Sequence, residues 1–306
     1  MNNNIKEITN AKVRWLDIDS PSRQDIEYLK EHFTLHPLDL EDVVAPTQRS
    51  KMEQREDYIF LIMLFPVYSR KTGEIESSET DYFLAKDYLI SIHRGDLSSI
   101  PDLFQLCASS EQAKINYISD SPQYILYNIL NKLYQYCFPI LDHISIDIQN
   151  AKKQIFMGKE KEMLEKILII RRNITDLRKI MQSHKITLDK FFKNNTKISK
   201  QYLEYYDHLI DDTKEIWDQL EASKESIEAM QDTNESLISY KLNKVMKILT
   251  VISVGLLPAT FITNLFMMNS KYTPLVGMAN DFWIILLISI ISSILLLIII
   301  WRKRWL

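Results

Sequence analysis

Residues 248–268 read ILTVISVGLLPATFITNLFMM, and residues 282–301 read FWIILLISIISSILLLIIIW. The first run is 21 residues without a charge and the second is 20. At 1.5 Å per residue each helix would be about 30 Å long, the thickness of a bilayer's hydrocarbon core. One such run could be a buried core helix, but two joined by 13 residues predict a membrane hairpin. Residues 248–306 hold only Lys271, Asp281, Arg302, Lys303 and Arg304 as charges, against 33 Lys+Arg and 39 Asp+Glu in residues 1–247. An acidic body therefore precedes an apolar tail, and its sign argues against a nucleic-acid partner, which wants a basic face. Arg302, Lys303 and Arg304 are expected on the cytoplasmic side as topology signals and lipid-headgroup contacts, with Trp283, Trp301 and Trp305 near the interfaces. The hairpin then places both termini in the cytoplasm of a multi-pass protein of the cell (inner or plasma) membrane. No apolar h-region opens the chain, so no signal peptide is expected.

Working outward, residues 12–19, 58–68 and 80–93 are rich in β-branched and aromatic residues and predict strands. SPSRQDIEYLKEHF opens with an N-cap signal and predicts a helix, and HPLDLEDVV a second. This mixture predicts an α/β domain over 1–118. From Pro139 to Pro258 there is no proline, and from Gly158 to Gly255 no glycine, which predicts long helices broken by polar turns. The expected order is a helical hairpin over 119–197, then a stalk helix over 198–268 that becomes the first span. A loop over 269–281, the second span over 282–301 and a basic tail over 302–306 follow. In the stalk, Leu209, Ile216, Leu220, Ile227, Met230 and Leu237 are spaced 7, 4, 7, 3 and 7, a heptad seam. A helix about 105 Å long in a 36 kDa chain exceeds what its own chain is expected to cover, which predicts parallel copies and a homo-oligomer.

The first span carries its own stripe. Asn243, Met246, Leu249, Ser253, Leu257, Thr260 and Asn264 follow spacings of 3, 3, 4, 4, 3 and 4 on one helical face, and four of the seven are polar. Polar side chains in a bilayer need partners or water. They are either glue between packed helices or the wall of a water-filled conduit. Leu249 and Leu257 are packing residues or, in a conduit, a dewetting constriction.

The run Asn243-Lys-Val-Met246-Lys-Ile-Leu249-Thr, then Pro258-Ala-Thr260-Phe and Met267-Met268-Asn269, resembles the CorA family of divalent-cation transporters. Leu35-His36-Pro37-Leu38, Glu41-Asp42, Gln48-Arg49-Ser50-Lys51, Tyr206-Asp207-His208, Thr233-Asn234-Glu235-Ser236 and the closing Arg302-Lys-Arg-Trp-Leu306 extend the likeness along nearly the whole chain. The resemblance implies a funnel-shaped homopentamer with cytoplasmic α/β domains, a long stalk helix and a central pore lined by the first span. It also implies Mg²⁺, hydrated, as both the transported and the regulatory ion, with no other cofactor, and Co²⁺ or Ni²⁺ as further cargo. The family's Gly-Met-Asn becomes Met267-Met268-Asn269 here, and these three residues stand at the implied selectivity filter. Gly277-Met278-Ala279-Asn280 sits against the second span with one residue inserted and is read as chance. Pro274 is followed by Leu275 where the family usually has glutamate, and Lys271 offsets Asp281, so the mouth is neutral.

Glu204, three residues before Asp207, occupies the stalk position of a family metal-sensing aspartate. Arg302, Lys303 and Arg304 correspond to a basic collar at the pore exit. Six histidines and two cysteines show no metal-ligand spacing, and no phosphate loop or nucleophile motif occurs, so no enzyme is expected. Two alternatives share the fold: transport of Zn²⁺ or another cation, for which Met246 is the one soft ligand in the stripe, and a non-conducting membrane-anchored sensor or scaffold.

Overall fold

A computed structural model describes residues 4–10, 13–45, 49–118, 121–194, 202–268, 274–278 and 280–302. The chain divides into two compact units, Met1–Gln231 and Asp232–Leu306.

The first unit is built on a six-stranded sheet in the order β1-β2-β6-β5-β4-β3. Its strands are β1 (Ile5–Asn10), β2 (Val13–Asp19), β3 (Lys51–Gln54), β4 (Tyr58–Ser69), β5 (Glu74–Ala85) and β6 (Tyr88–His93). Among the described strands only β2 and β6 pair in parallel, with Arg14 opposite Tyr88. The apolar run of β4 is continuous rather than alternating because both of its faces are buried. Phe60 and Ile62 point to the side carrying α1 (Arg23–His32) and α2 (Pro37–Val44), among Leu29, Leu40 and Val43. Phe65 points to the other side, against Tyr134 of α5 (Pro122–Phe156) and His184 of α6 (Glu160–Asn194), at ring separations of 5.5 and 4.8 Å. His184 Nε2 lies 2.6 Å from the Leu64 carbonyl and Nδ1 lies 3.0 Å from the Tyr134 hydroxyl. That arrangement defines one neutral tautomer, with Nε2 donating and Nδ1 accepting.

Local chemistry sets the helix starts. Ser22 and Asp25 form a reciprocal capping box at α1, with the Ser22 amide donating to Asp25 at 2.8 Å and the Asp25 amide to the Ser22 hydroxyl at 3.3 Å. His36 caps α2, its Nδ1 accepting from the Leu38 amide, and Pro37 stands in the first turn. Asp39 accepts from the Tyr58 hydroxyl at 2.7 Å and from Arg55 Nε at 3.0 Å. Burial raises the Asp39 carboxyl, but the Arg55 guanidinium and Tyr58 hydroxyl outweigh it and hold the group below the usual range.

The strand expected over 80–93 is two strands. β5 ends at Ala85 and β6 begins at Tyr88, folded back as an antiparallel pair. Edge strands β1 and β3 and helices α3 (Ser99–Ser109) and α4 (Glu111–Ile118) are additions to the elements expected in 1–118.

α7 runs from Leu203 to Met267, 65 residues, without a break among the described residues. The heptad seam requires a correction. Leu209, Ile216 and Leu220 are wholly buried in a single chain, and Ile227 and Met230 nearly so. Their cover is the same chain's α5 and α6: Tyr206 donates to the Gln123 carbonyl at 2.8 Å and packs on Phe191, while Arg178 pairs with Glu221 and stacks over Trp217. The seam's first five residues are thus filled within one chain, not by copies, because the two 35-residue helices of the hairpin supply a long enough facing surface.

The second unit contains the rest of α7 and α8 (Asp281–Arg302). Both helices are long and apolar enough to cross a membrane, and their most apolar windows are 0% and 6% buried. Helix α8 packs on α7 at Gly255, where a Cβ would lie 3.4 Å from Leu297 Cδ1.

Candidate functional site

From Asn243 to Asn264 every residue of the sequence stripe is exposed on α7: Asn243, Met246, Leu249, Ser253, Leu257, Thr260 and Asn264. The half-covered residues of the same stretch are Val251, Val254, Gly255, Pro258, Ala259 and Ile262. They share the face that carries the Gly255–Leu297 contact. At about 100° per residue the two sets lie on opposite sides of the helix. The stripe is therefore turned away from α8, and glue between the two spans of one chain is not its role.

The polar groups of this stretch are handled in two ways. Thr260 donates to the Leu257 carbonyl at 3.0 Å, and Thr250 to the Met246 carbonyl at 2.8 Å. Such back-bonding satisfies the hydroxyl hydrogen in an apolar medium and leaves the oxygen lone pairs open. Asn243 and Asn264 project amides into open space at the two ends of the stripe, each with two donors and an acceptor.

Met267 ends the helix and Met268 follows it, 81% and 62% exposed. Asn269, the third member of the expected filter, and Lys271 lie outside the described residues. Gly277 (φ +91°) and Asn280 (φ +79°) form the turn that starts α8: Asp281 accepts from the Gly277 amide at 3.0 Å, and the Ile284 amide donates to the Asn280 carbonyl at 3.2 Å. Leu275 also has positive φ, at +72°, in the same turn. Arg302 is the exposed last residue of α8, while Lys303 and Arg304 lie outside the described residues.

Glu204 is exposed in the first turn of α7, and Asp207 is exposed one turn later. Asp212 is buried beside His208, Oδ2 to Nδ1 3.6 Å; burial pushes its carboxyl up and His208 opposes that shift. Among the described residues no three His, Cys, Asp or Glu side chains are grouped as a metal site. Among the described residues Glu204 has no second and third ligand of these types grouped with it.

The sequence profile of the family described as CorA-like Mg²⁺ transporter protein matches residues 10–304. The cobalt/magnesium transport protein CorA of Thermotoga maritima is 26% identical over 295 residues, covering 95% of this chain and 83% of that protein. Its namesake from Methanocaldococcus jannaschii is 23% identical, with 95% and 90% covered. The complete structure of the CorA magnesium transporter from M. jannaschii superposes with a TM-score of 0.84 at 22% identity, over 98% of this chain and 94% of that one. The α/β domain, the long helix and the two C-terminal apolar helices are common to both. Family members are transporters rather than enzymes. The chain belongs to the CorA-like Mg²⁺ transporter protein family.

Proposed function

We propose that copies of this chain assemble around an axis, most simply as a homopentamer, and pass a divalent cation into the cell through a conduit walled by the exposed stripe of α7. The observation that carries this reading is that the stripe, rather than the α8-facing side, presents the polar groups of the first span and is left uncovered. Only neighbouring copies, water or lipid can meet it, and lipid is the worst partner for Asn243, Ser253, Thr260 and Asn264. Cobalt and magnesium transport is what these relatives are named for, so Mg²⁺ is the first cargo to expect and Co²⁺ the next, with Ni²⁺ after them on the family resemblance alone.

Drive needs no nucleotide. A divalent ion moving inward gains about 4.6 kcal/mol per 100 mV of membrane potential. Orientation follows from Lys241, Lys244, Lys247 and Arg302–Arg304, which put both termini on the cytoplasmic side. At the opposite end Asn269 offers an amide carbonyl that bonds the waters of a hydrated Mg²⁺ without stripping them, beside Met267 and Met268. Leu249 and Leu257 narrow the conduit by dewetting, and Arg302, Lys303 and Arg304 collar its exit. Cytoplasmic Mg²⁺ bound at Glu204 by adjacent subunits closes it.

Ion flux into proteoliposomes, compared for Mg²⁺, Co²⁺, Ni²⁺ and Zn²⁺, tests the proposal. Mg²⁺ influx that rises with an inside-negative potential, falls with internal Mg²⁺ and vanishes in Asn269→Gly is the expected result. Zn²⁺ as the preferred ion would replace the cargo, and no flux of any ion would leave a membrane-anchored sensor. A monomer by native mass spectrometry in mild detergent would overturn the conduit altogether.

A further inference from the structure

The face of α7 that points to α8 does not stop where α8 ends. Continuing toward the N-terminus from Val251 in steps of 4, 3 and 4, it runs through Lys247, Lys244 and Tyr240. All three are exposed, Tyr240 at 66%. Gly255 lies against Leu297, so in an up-and-down hairpin Arg302 falls about level with residue 250, and Lys247 and Lys244 follow about 4 and 9 Å further on. Trp301, 77% exposed, completes the group. Among the described residues Lys244, Lys247 and Arg302 have no carboxylate partner. No Asp or Glu occurs anywhere from 236 to 280 or from 282 to 306 except Asp281, at the far end of the hairpin, lying between those two stretches. The apolar spans thus end on one side in uncompensated cations flanked by an exposed Tyr and Trp, the residues that favour the headgroup level of a bilayer.

This face is not the stripe. At 100° per residue Lys244 and Lys247 lie about 165° and about 105° around the helix from the mean direction of the stripe. Being off the stripe, Lys244 and Lys247 meet the lipid surface rather than the conduit.

We propose that Lys244 and Lys247, with Arg302 and the rings of Tyr240 and Trp301, form a binding surface for the phosphate headgroup of an anionic phospholipid in the leaflet where both spans end. The charge complementarity is with a headgroup because the surface is continuous with the apolar flank of α7 and α8, which takes the acyl chains. The orientation of this face rests on the conduit reading, since it is outward only if the stripe turns to the axis.

Native mass spectrometry of the full chain in detergent, titrated with phosphatidylglycerol or phosphatidylcholine, tests the proposal. The expected result is selective retention of phosphatidylglycerol, weakened about fivefold by each of Lys244→Gln and Lys247→Gln, and preserved in the Lys→Arg pair, which keeps the charge. Equal retention of the two lipids, or of phosphatidylglycerol by wild type and the double Gln variant, overturns it. Displacement of the lipid by equimolar inorganic phosphate also overturns it, in favour of a free-anion site. Mg²⁺ flux measured on the same preparation in phosphatidylcholine vesicles separates the two readings. Flux without lipid selectivity removes only this surface, and selectivity without flux removes only the conduit.

Discussion

From Tyr206 to Met230, α7 buries Tyr206, Leu209, Ile216, Leu220, Ile227 and Met230 against its own chain, whereas from Tyr240 to Met267 the same helix buries no residue at all. One backbone, unbroken by glycine until Gly255, therefore serves two environments. In the first stretch a seam of large apolar residues is met by α5 and α6, and stability comes from burial within one chain. In the second, apolar residues dominate every side beyond the lysines at its start, and the stripe gathers Asn243, Ser253, Thr260 and Asn264 on one face, so the cover must be lipid on most of the surface and something polar on the rest. Periodicity tells which face of a helix is special. It does not tell whose atoms will cover that face.

The comparison breaks most visibly under a charge. Leu220→Asp places a carboxylate at a fully buried position, and loss of the folded Met1–Gln231 unit is expected, read as rapid trypsin digestion of that region. Leu249→Asp, at a position 56% exposed, should leave the digestion pattern of that unit unchanged. Removing carbon alone gives the next largest contrast. Leu220→Ala should destabilise by about 4 kcal/mol in denaturant, and Leu257→Ala by less than about 0.5 kcal/mol. Equal losses would mean that the second stretch also packs within its own chain.

Acid sharpens the contrast from another side. Burial holds His184 neutral, with its pKa lowered from 6.5 to about 4. Below pH 6.5 the unfolded chain takes up a proton that the folded chain refuses. Stability of the first unit is therefore full above pH 6.5 and declines between 6.5 and 4, by about 3 kcal/mol at the lower end. His184→Gln should flatten that decline in chemical denaturation series across this range, while the second unit, which has no histidine, contributes none of it. The smallest expected effect is a gain. Gly255→Ala puts a Cβ in ordinary contact with Leu297 and removes a flexible residue from a helix interior, so thermal inactivation in detergent should rise by about 2 °C.

Much of this was readable from residue order. Two uncharged runs of bilayer length, the N-cap signal ahead of α1 and the polar stripe each rest on local chemistry that no distant contact can reverse. Edge strand β1 was not readable, because IKEITN is short and polar and pairs on one side only, with β2. The hairpin within 80–93 was hidden by apolar residues on both sides of Lys86-Asp87, the two polar residues that make its turn. In the heptad seam the correct positions were identified with the wrong partner, since a facing helix of the same chain and one of another chain ask for the same residues. The lysine face of α7 escaped notice for a different reason: Lys244 and Lys247 look like ordinary solvated charges until α8 is seen to end beside them.

The parallel pairing of β2 with β6 also sets a timetable. Strands β3 to β6 form a meander of near neighbours, but Arg14 meets Tyr88 across more than seventy residues, so β1 and β2 must wait for β6 before the sheet can close. Residue 93 leaves the ribosome some 155 residues ahead of residue 248. At 5–20 residues per second that is about 8–30 s, far longer than a sheet of this size needs to form. The strands can therefore pair in water before the first apolar span reaches the membrane, whereas the buried face of α7, which ends at Met230, emerges only 18 residues ahead of residue 248.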